Sequence, residues 1–170
     1  MSFETKNVYW LWLSGFVIFA DQVTKQLVVK HLDWFESYAW MPHFNFVHMK
    51  NTGAAFSMLS SLPPWTFALL GVAVSTGIFL WLRSNPRGQA LVAAALALIL
   101  GGALGNVIDR VRLGHVTDFI DFYVGSWHFA AFNIADSAIT CGAGLLILDM
   151  MLESRRGPHP NPPPQAGQGR

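Results

Sequence analysis

Charge is scarce in this 170-residue chain: Lys, Arg, Asp and Glu together make up 12% of it, and they nearly cancel to a net charge of +1. So little charge leaves neither the basic face that holds a nucleic-acid backbone nor the charged surface of an ordinary soluble domain. Nucleic-acid binding is set aside on that ground. Cysteine is scarcer still. The single Cys141 excludes an internal disulfide and any multi-cysteine zinc site, and its apolar neighbours mark it as a small buried hydrophobe rather than a reactive thiol. The six histidines show no paired ligand spacing on a helix, so neither a metal nor another cofactor is expected.

What is abundant is apolar. Hydrophobic residues make up 52% of the chain, and the mean hydropathy is +0.36. Spanning a hydrocarbon core of about 30 Å takes roughly 20 residues of helix. Four segments reach that length: about Val8–Val29, Trp65–Leu82, Ala90–Ile108 and Ala135–Leu152. The first is expected to be a retained anchor rather than a cleaved leader, because Ile18 stands where a cut after Ala20 would need a small residue. The fold class expected is therefore a polytopic α-helical membrane protein of four transmembrane helices, with residues 1–156 as one integral domain.

An even number of spans puts both termini on one side. Lys6, Arg83, Arg87, Arg155 and Arg156 then share the cytoplasmic face, and Lys30, Lys50, Arg110 and Arg112 lie outside. Of the two outer segments, the first carries the period-two alternation His43-Phe44-Asn45-Phe46-Val47-His48-Met49, ending at a turn in Asn51-Thr52-Gly53, so a small extracytoplasmic β-sheet is expected. Residues 157–170, rich in Pro, Gly and Gln, are expected to be a disordered tail.

The ionisable residues are distributed unevenly in depth. With the N-terminus inside, Asp21 lies roughly 20 Å along the first helix at 1.5 Å per residue, in the outer half of the bilayer. Lys25 follows one turn later on the same face, where it can neutralise Asp21 as a structural pair. Asn106, Asp109 and Arg110 fall at the outer end of the third span, and Asn133 and Asp136 at the outer start of the fourth. Asp109 beside Arg110 fits a structural pair, or an Arg110 that reaches lipid phosphate. Gly101, Gly102 and Gly105 fit close helix packing. A transporter needs polar steps through the whole membrane depth, whereas a one-sided cluster suits chemistry at one interface. A pair of carboxyls there, drawn from Asp118, Asp121 and Asp136, is the minimum equipment for acid/base hydrolysis without a metal. A solvated loop carboxylate is the plainer reading for Asp121, and a less natural one for Asp136 at the head of an apolar helix.

Five segments in order carry a resemblance. Asp21-Gln22-Val23-Thr24-Lys25, Asn51-Thr52-Gly53-Ala54-Ala55-Phe56-Ser57, Gly105-Asn106-Val107-Ile108-Asp109-Arg110, Val116-Thr117-Asp118-Phe119-Ile120-Asp121-Phe122 and Phe132-Asn133-Ile134-Ala135-Asp136 are similar to the ordered motifs of the lipoprotein signal peptidases, or signal peptidase II. The resemblance implies a bacterial inner-membrane aspartyl protease. Such an enzyme cleaves the signal peptide from a prolipoprotein just before a diacylglyceryl-modified cysteine, with membrane lipids around it and its active site at the periplasmic face. It implies Asp118 and Asp136 as the catalytic dyad, with Asp121 outside it. Asn51, Gly53, Asn106, Arg110 and Asn133 are implied to line or support the site, and Asp21, Lys25, Asp109 and Ala135 are counted with them. A monomer is the default oligomeric state.

Overall fold

The computed structural model describes residues 7–53, 63–86 and 88–155. The expected tail of residues 157–170, and Ala54–Ser57 of the second motif, lie outside the described residues. After a 3-10 turn at Asn7–Trp10 the elements run α1 (Leu11–His31), β1 (Ser37–Met41), β2 (Phe44–Asn51), α2 (Pro64–Ser84), α3 (Ala90–Leu113), β3 (Val116–Val124), β4 (Trp127–His128) and α4 (Ile134–Arg155). Local chemistry accounts for several boundaries. A proline opens α2, where its missing N–H interrupts no hydrogen bond. α3 stops at Gly114, whose φ of 74° is left-handed and whose N–H donates to the Arg110 carbonyl at 3.1 Å.

α3 is the hub. α1, α2 and α4 each pack on it; α1 and α4 touch lightly, and α2 touches neither of them. The close approach is made by glycines. A Cβ on Gly101 would come within 2.8 Å of the Ser14 carbonyl and of Val17 Cβ; one on Gly102 would collide with the Ala135 carbonyl; and one on Gly142 would reach 2.6 Å from the Ala95 carbonyl. The small-residue reading of Gly101, Gly102 and Gly105 therefore agrees with the packing, and Gly142 supplies the matching surface on α4. Ser14 adds a side-chain hydrogen bond to the Ala97 carbonyl at 2.7 Å. At the end away from the sheet, Leu82, Val92, Ala93 and Leu96 form a buried cluster, with Trp10, Leu11, Ile78 and Leu146 against it.

Three of these helices are long and apolar enough to cross a membrane: Trp65–Ser84, Ala90–Leu113 and Ile134–Arg155. α1 has the length, at 21 residues, but carries Asp21, Gln22, Lys25 and Gln26 in its second half. It also begins at Leu11 rather than Val8. Cys141 is exposed on α4, contrary to the expectation of a buried hydrophobe, because that face of α4 has no described neighbour.

The four strands form one antiparallel sheet in the order β1-β2-β3-β4. β2 and β3 pair with a register shift between Phe46 and Met49, after which Met49 faces Asp118 and Asn51 faces Val116. The turn expected at Asn51–Gly53 closes β2, held by Gly53 N–H donating to Asn51 Oδ1 at 3.2 Å. Only two residues separate the end of α3 from the start of β3, which ties the sheet to the hub helix.

Candidate active site

Asp118 sits on β3 and Asp136 in the first turn of α4, and a single residue touches both carboxyls. Asn133, fully buried just before α4, donates from Nδ2 to Asp118 Oδ1 at 2.7 Å. Its Oδ1 accepts the Asp136 N–H at 2.9 Å, and its own N–H donates to Asp136 Oδ2 at 3.3 Å. That reciprocal arrangement is a capping box with Asn and Asp in its two roles: each satisfies an N–H that the helix start leaves without a partner. The cap thus also aims the Asp136 carboxyl.

The remaining oxygens of the pair are held by two more asparagines. Asn51 Nδ2 donates to Asp118 Oδ2 at 2.9 Å, its amide oriented by the Gly53 N–H on Oδ1. Asn106 Nδ2 donates to Asp136 Oδ1 at 2.8 Å, while Asn106 Oδ1 accepts from Lys25 Nζ at 3.1 Å. An ammonium has only donors, so Lys25, with Asn133 Nδ2 donating to the same oxygen at 3.3 Å, sets which end of the Asn106 amide faces Asp136. Asp118 is 3% exposed, and burial pushes its carboxyl up to about 6. The Asn51 hydrogen bond opposes that rise, the neighbouring Asp136 adds to it, and the Asn133 hydrogen bond and Lys25 oppose it.

Beneath the pair lies a buried ion cluster. Lys25 Nζ is 2.8 Å from Asp21 Oδ2 and 2.9 Å from Asp109 Oδ2. One cation between two carboxylates leaves an excess of negative charge, which neutral donors share. Asp21 Oδ1 accepts the Ala135 N–H at 3.0 Å, Asp109 Oδ2 accepts the Thr117 N–H at 3.2 Å, and Gln22 Nε2 donates to Asp109 Oδ1 at 2.8 Å. The backbone N–H groups involved belong to the residues immediately before Asp118 and Asp136. The cluster on α1 and α3 therefore anchors β3 and α4 at the positions next to the two carboxyls.

Most of the residues singled out from the sequence are brought together here, with two differences. The partner of Asp109 is Lys25, not Arg110, because α3 turns Asp109 toward α1. Arg110 is half-buried, donates to the Asn106 carbonyl at 3.3 Å and holds its guanidinium 5.8 Å from the Phe67 ring centre. Asp121 is no solvated loop carboxylate: it is buried on β3, accepting from Asn45 Nδ2 at 2.9 Å and lying 2.9 Å from His128 Nδ1. Neither partner touches Asp118 or Asp136. Gln22 and the Thr117 N–H were missed from sequence; Gln22 lay inside a quoted motif, but only the fold shows that its amide reaches Asp109. Among the described residues no cluster of three or more His, Cys, Asp or Glu side chains suits a metal ion. A separate apolar cavity of about 400 Å³ lies between the end of α1 and the sheet, lined by Leu27, Val28, Tyr38, Phe46 and Phe119 among others. Asp118 and Asp136 are not part of it.

Two carboxyls bridged by one residue, Asn133, through its side-chain amide and its backbone N–H, one of them raised toward neutrality, can share a proton, the state in which a carboxylate activates water while its neutral partner donates. Residues 13–152 match a family model described as signal peptidase (SPase) II. The chain is similar to a lipoprotein signal peptidase of Shewanella loihica, with 46% identity over 91% of this chain and 93% of that protein. A lipoprotein signal peptidase of Photorhabdus laumondii is 47% identical over 84% of this chain and 87% of its own. Among solved structures, a bacterial membrane enzyme determined by the in meso method at 2.3 Å resolution superposes with a TM-score of 0.81 at 30% identity, covering 91% of this chain and 94% of that one. A second, at 1.9 Å, gives 0.76 at 32% identity over 84% and 92%.

Proposed function

This chain belongs to the signal peptidase II family, a family of proteases, and on that premise we propose that Asp118 and Asp136 are its catalytic dyad, cutting diacylglyceryl-modified prolipoproteins just before the lipidated cysteine. The observation that carries this reading is Asn133, which hydrogen-bonds both carboxyls. With one proton between them, the charged carboxyl takes a proton from a water held by the pair, and the neutral one donates to the scissile carbonyl oxygen. Water attacks directly and no acyl-enzyme forms. The proton belongs to the coupled pair rather than to either residue. Asn51, Asn106 and Asn133 hold the carboxyls in register. Asp21, Lys25, Asp109 and Ala135 form the base on which they stand, Gly53 shapes the turn that aims Asn51, and Arg110 lies at the edge of the site toward α2.

We place the protein in the bacterial inner membrane with four spans, α1 being the fourth. Support for α1 comes from what it hides: Asp21 and Lys25 are buried, while Trp12, Phe16, Phe19 and Val23 are exposed, so its outward surface is apolar. Residues 1–156 form one integral domain with both termini cytoplasmic, the sheet and dyad at the periplasmic face, membrane lipids around the helices and a monomeric state. Asp118→Asn and Asp136→Asn are each expected to abolish cleavage of a lipidated precursor in detergent while the helical content is kept. Wild-type turnover by either variant would remove it from the dyad.

A further inference from the structure

Residues directly opposite each other in an antiparallel pair share a face of the sheet, and along each strand the face alternates. Asp118 and Asp121 on β3 are three apart, so their side chains leave opposite faces. Asn45 and Asn51 on β2 are six apart, and in a regular strand both would lie on one face. Yet Asn45 donates to Asp121, and Asn51 to Asp118. The strand pairing makes this possible. Asn45 stands opposite Asp121 and Phe46 opposite Ile120, whereas Met49 stands opposite Asp118 and Asn51 opposite Val116, so Val47 and His48 together face the single Phe119. That is a β-bulge, and it turns the rest of β2 over by one residue. Val47 and His48 are adjacent and both buried, where a regular strand would alternate. Paired one to one from Phe46 onward, β2 would set His48 against Asp118 and carry Asn51 to the Asp121 face.

The bulge is gripped from the segment between α1 and β1. His48 is 2% exposed, and its ring bonds through Nδ1 to the carbonyl of Leu32, the C-cap of α1, at 2.8 Å. A carbonyl only accepts, so Nδ1 carries the proton. The Trp34 ring stacks on the imidazole with centroids 4.0 Å apart, and Lys50 Nζ lies 3.4 Å from the Trp34 ring centre. The His48 N–H donates to the Glu36 carbonyl at 3.2 Å, and the His48 carbonyl accepts the Phe35 N–H at 3.0 Å. Phe35 makes that bond with a φ of 64°, a left-handed conformation that a bulky residue keeps only where its surroundings impose it.

We propose that His48 is a positioning residue for the hydrolysis: by holding the bulge against the end of α1, it turns Asn51 onto Asp118. The proposal rests on the reading of Asp118 as one half of the dyad, and it adds a residue whose own hydrogen bonds go elsewhere. Its effect passes through one contact, Asn51 Nδ2 to Asp118 Oδ2 at 2.9 Å, so loosening the grip should resemble losing Asn51.

His48→Leu keeps an apolar bulk and removes the Nδ1–H. Its kcat on a lipidated precursor is expected to fall about tenfold with KM little changed, and the alkaline limb of its kcat/KM profile to move to higher pH, as in Asn51→Ala. Combined with Asn51→Ala it should add no further loss, because both changes remove the same hydrogen bond. His48→Asn offers an amide N–H near the place of Nδ1 and is expected to bring kcat back to within about threefold of wild type, with the limb in its wild-type position. Asn does not titrate, so that recovery assigns the limb to the grip and not to the proton of the ring. Asn45→Ala loosens β2 ahead of the bulge and is the control, expected to lose stability with the limb unmoved. Trp34→Ala, at an exposed position, takes the place of His48→Leu if that variant does not fold, and should shift the limb in the same direction. A limb at the wild-type position in the folded variant, or additive losses in the double variant, overturns the positioning role while wild-type cleavage stands. Failure of the wild-type enzyme to cut the lipidated precursor overturns the functional reading itself.

Discussion

Asn133 and Asp136 hold each other reciprocally: the Asp136 N–H donates to Asn133 Oδ1 at 2.9 Å and Asp136 Oδ2 accepts the Asn133 N–H at 3.3 Å. A motif that elsewhere merely starts a helix here fixes the direction of a carboxyl, and the spare N–H bonds of the same amide fix the other carboxyl. Asn133→Ala removes the Asp118 contact and the cap on the Asp136 N–H, and leaves the backbone N–H that holds Asp136 Oδ2. Its kcat is expected to fall about 100-fold or more, with KM changed little, since the residue acts on the carboxyls rather than on the substrate. Asn133→Ser keeps a capping oxygen and should recover the helix start but not the Asp118 contact. Equal activities of Ala and Ser variants with wild type would show that the bridge is dispensable.

The raised Asp118 carboxyl sets a pH dependence. Its ordinary value of 3.8 moves to about 6 through burial, so the pair holds its shared proton into mildly acidic pH and loses it above. Activity is therefore expected to decline on the alkaline side of an apparent pKa of about 6 or higher. Asn51→Ala, which removes a hydrogen bond to the charged form, should move that limb to higher pH. A kcat/KM profile for the two enzymes decides it, and a limb that shifts down or stays put contradicts the assignment.

Stability follows the same sign. The folded carboxyl binds its proton more tightly than the unfolded one, so the Asp118 contribution is fully present below 3.8 and lost as pH rises through about 6. Thermal denaturation in detergent should show wild type losing more stability than Asp118→Asn between about pH 5 and about pH 8, by on the order of 1 kcal/mol, the rest of the roughly 3 kcal/mol being lost between about pH 3 and about pH 5. A parallel pH dependence in the two proteins would count against a buried, raised carboxyl.

Lys25 is the one cation in the buried cluster with Asp21 and Asp109. Lys25→Met leaves two buried carboxylates uncompensated and is expected to destabilise by about 3–5 kcal/mol. Adding Asp21→Asn and Asp109→Asn should restore much of the stability, since an entirely neutral cluster carries no desolvation debt. Activity should return only in part, because Asn106 Oδ1 then keeps only the 3.3 Å donation from Asn133 Nδ2 to orient its amide toward Asp136. Recovery of both together would place Lys25 outside the path to the dyad.

At Gly102 the limit is steric. A side chain there would collide with the Ala135 carbonyl and approach Ile139 Cγ1 to 2.8 Å, and Ala135 adjoins Asp136. Gly102→Val is expected to push the start of α4 away from α3, costing about 1–3 kcal/mol and more than tenfold in kcat. Gly144→Val, where an added Cβ meets nothing within 4 Å, is the matched control. Equal losses in the two variants would mean that close packing at Gly102 does not set the site.

The sequence by itself determined that this is a membrane protein with its polar residues gathered toward one end, because hydrophobic length and the depth of each ionisable group are linear properties of a helix. It also determined the pairing of Asp21 with Lys25, which are one turn apart. Where partners lie far apart in the chain, only the tertiary structure decided. Asp109 stands next to Arg110 in the sequence, yet the rotation of α3 turns it to Lys25 on α1. Asp121 and Asp118 share a strand, but the packing of β3 sends Asp121 to Asn45 and His128 and leaves Asp118 to Asn51 and Asn133. Cys141 reads as buried from its neighbours and is exposed because, among the described residues, nothing packs on its face of α4. Periodicity tells how far along an element a residue lies, whereas the direction in which a side chain finds its partner depends on how helices rotate about α3 and how the sheet is registered, and both are products of packing.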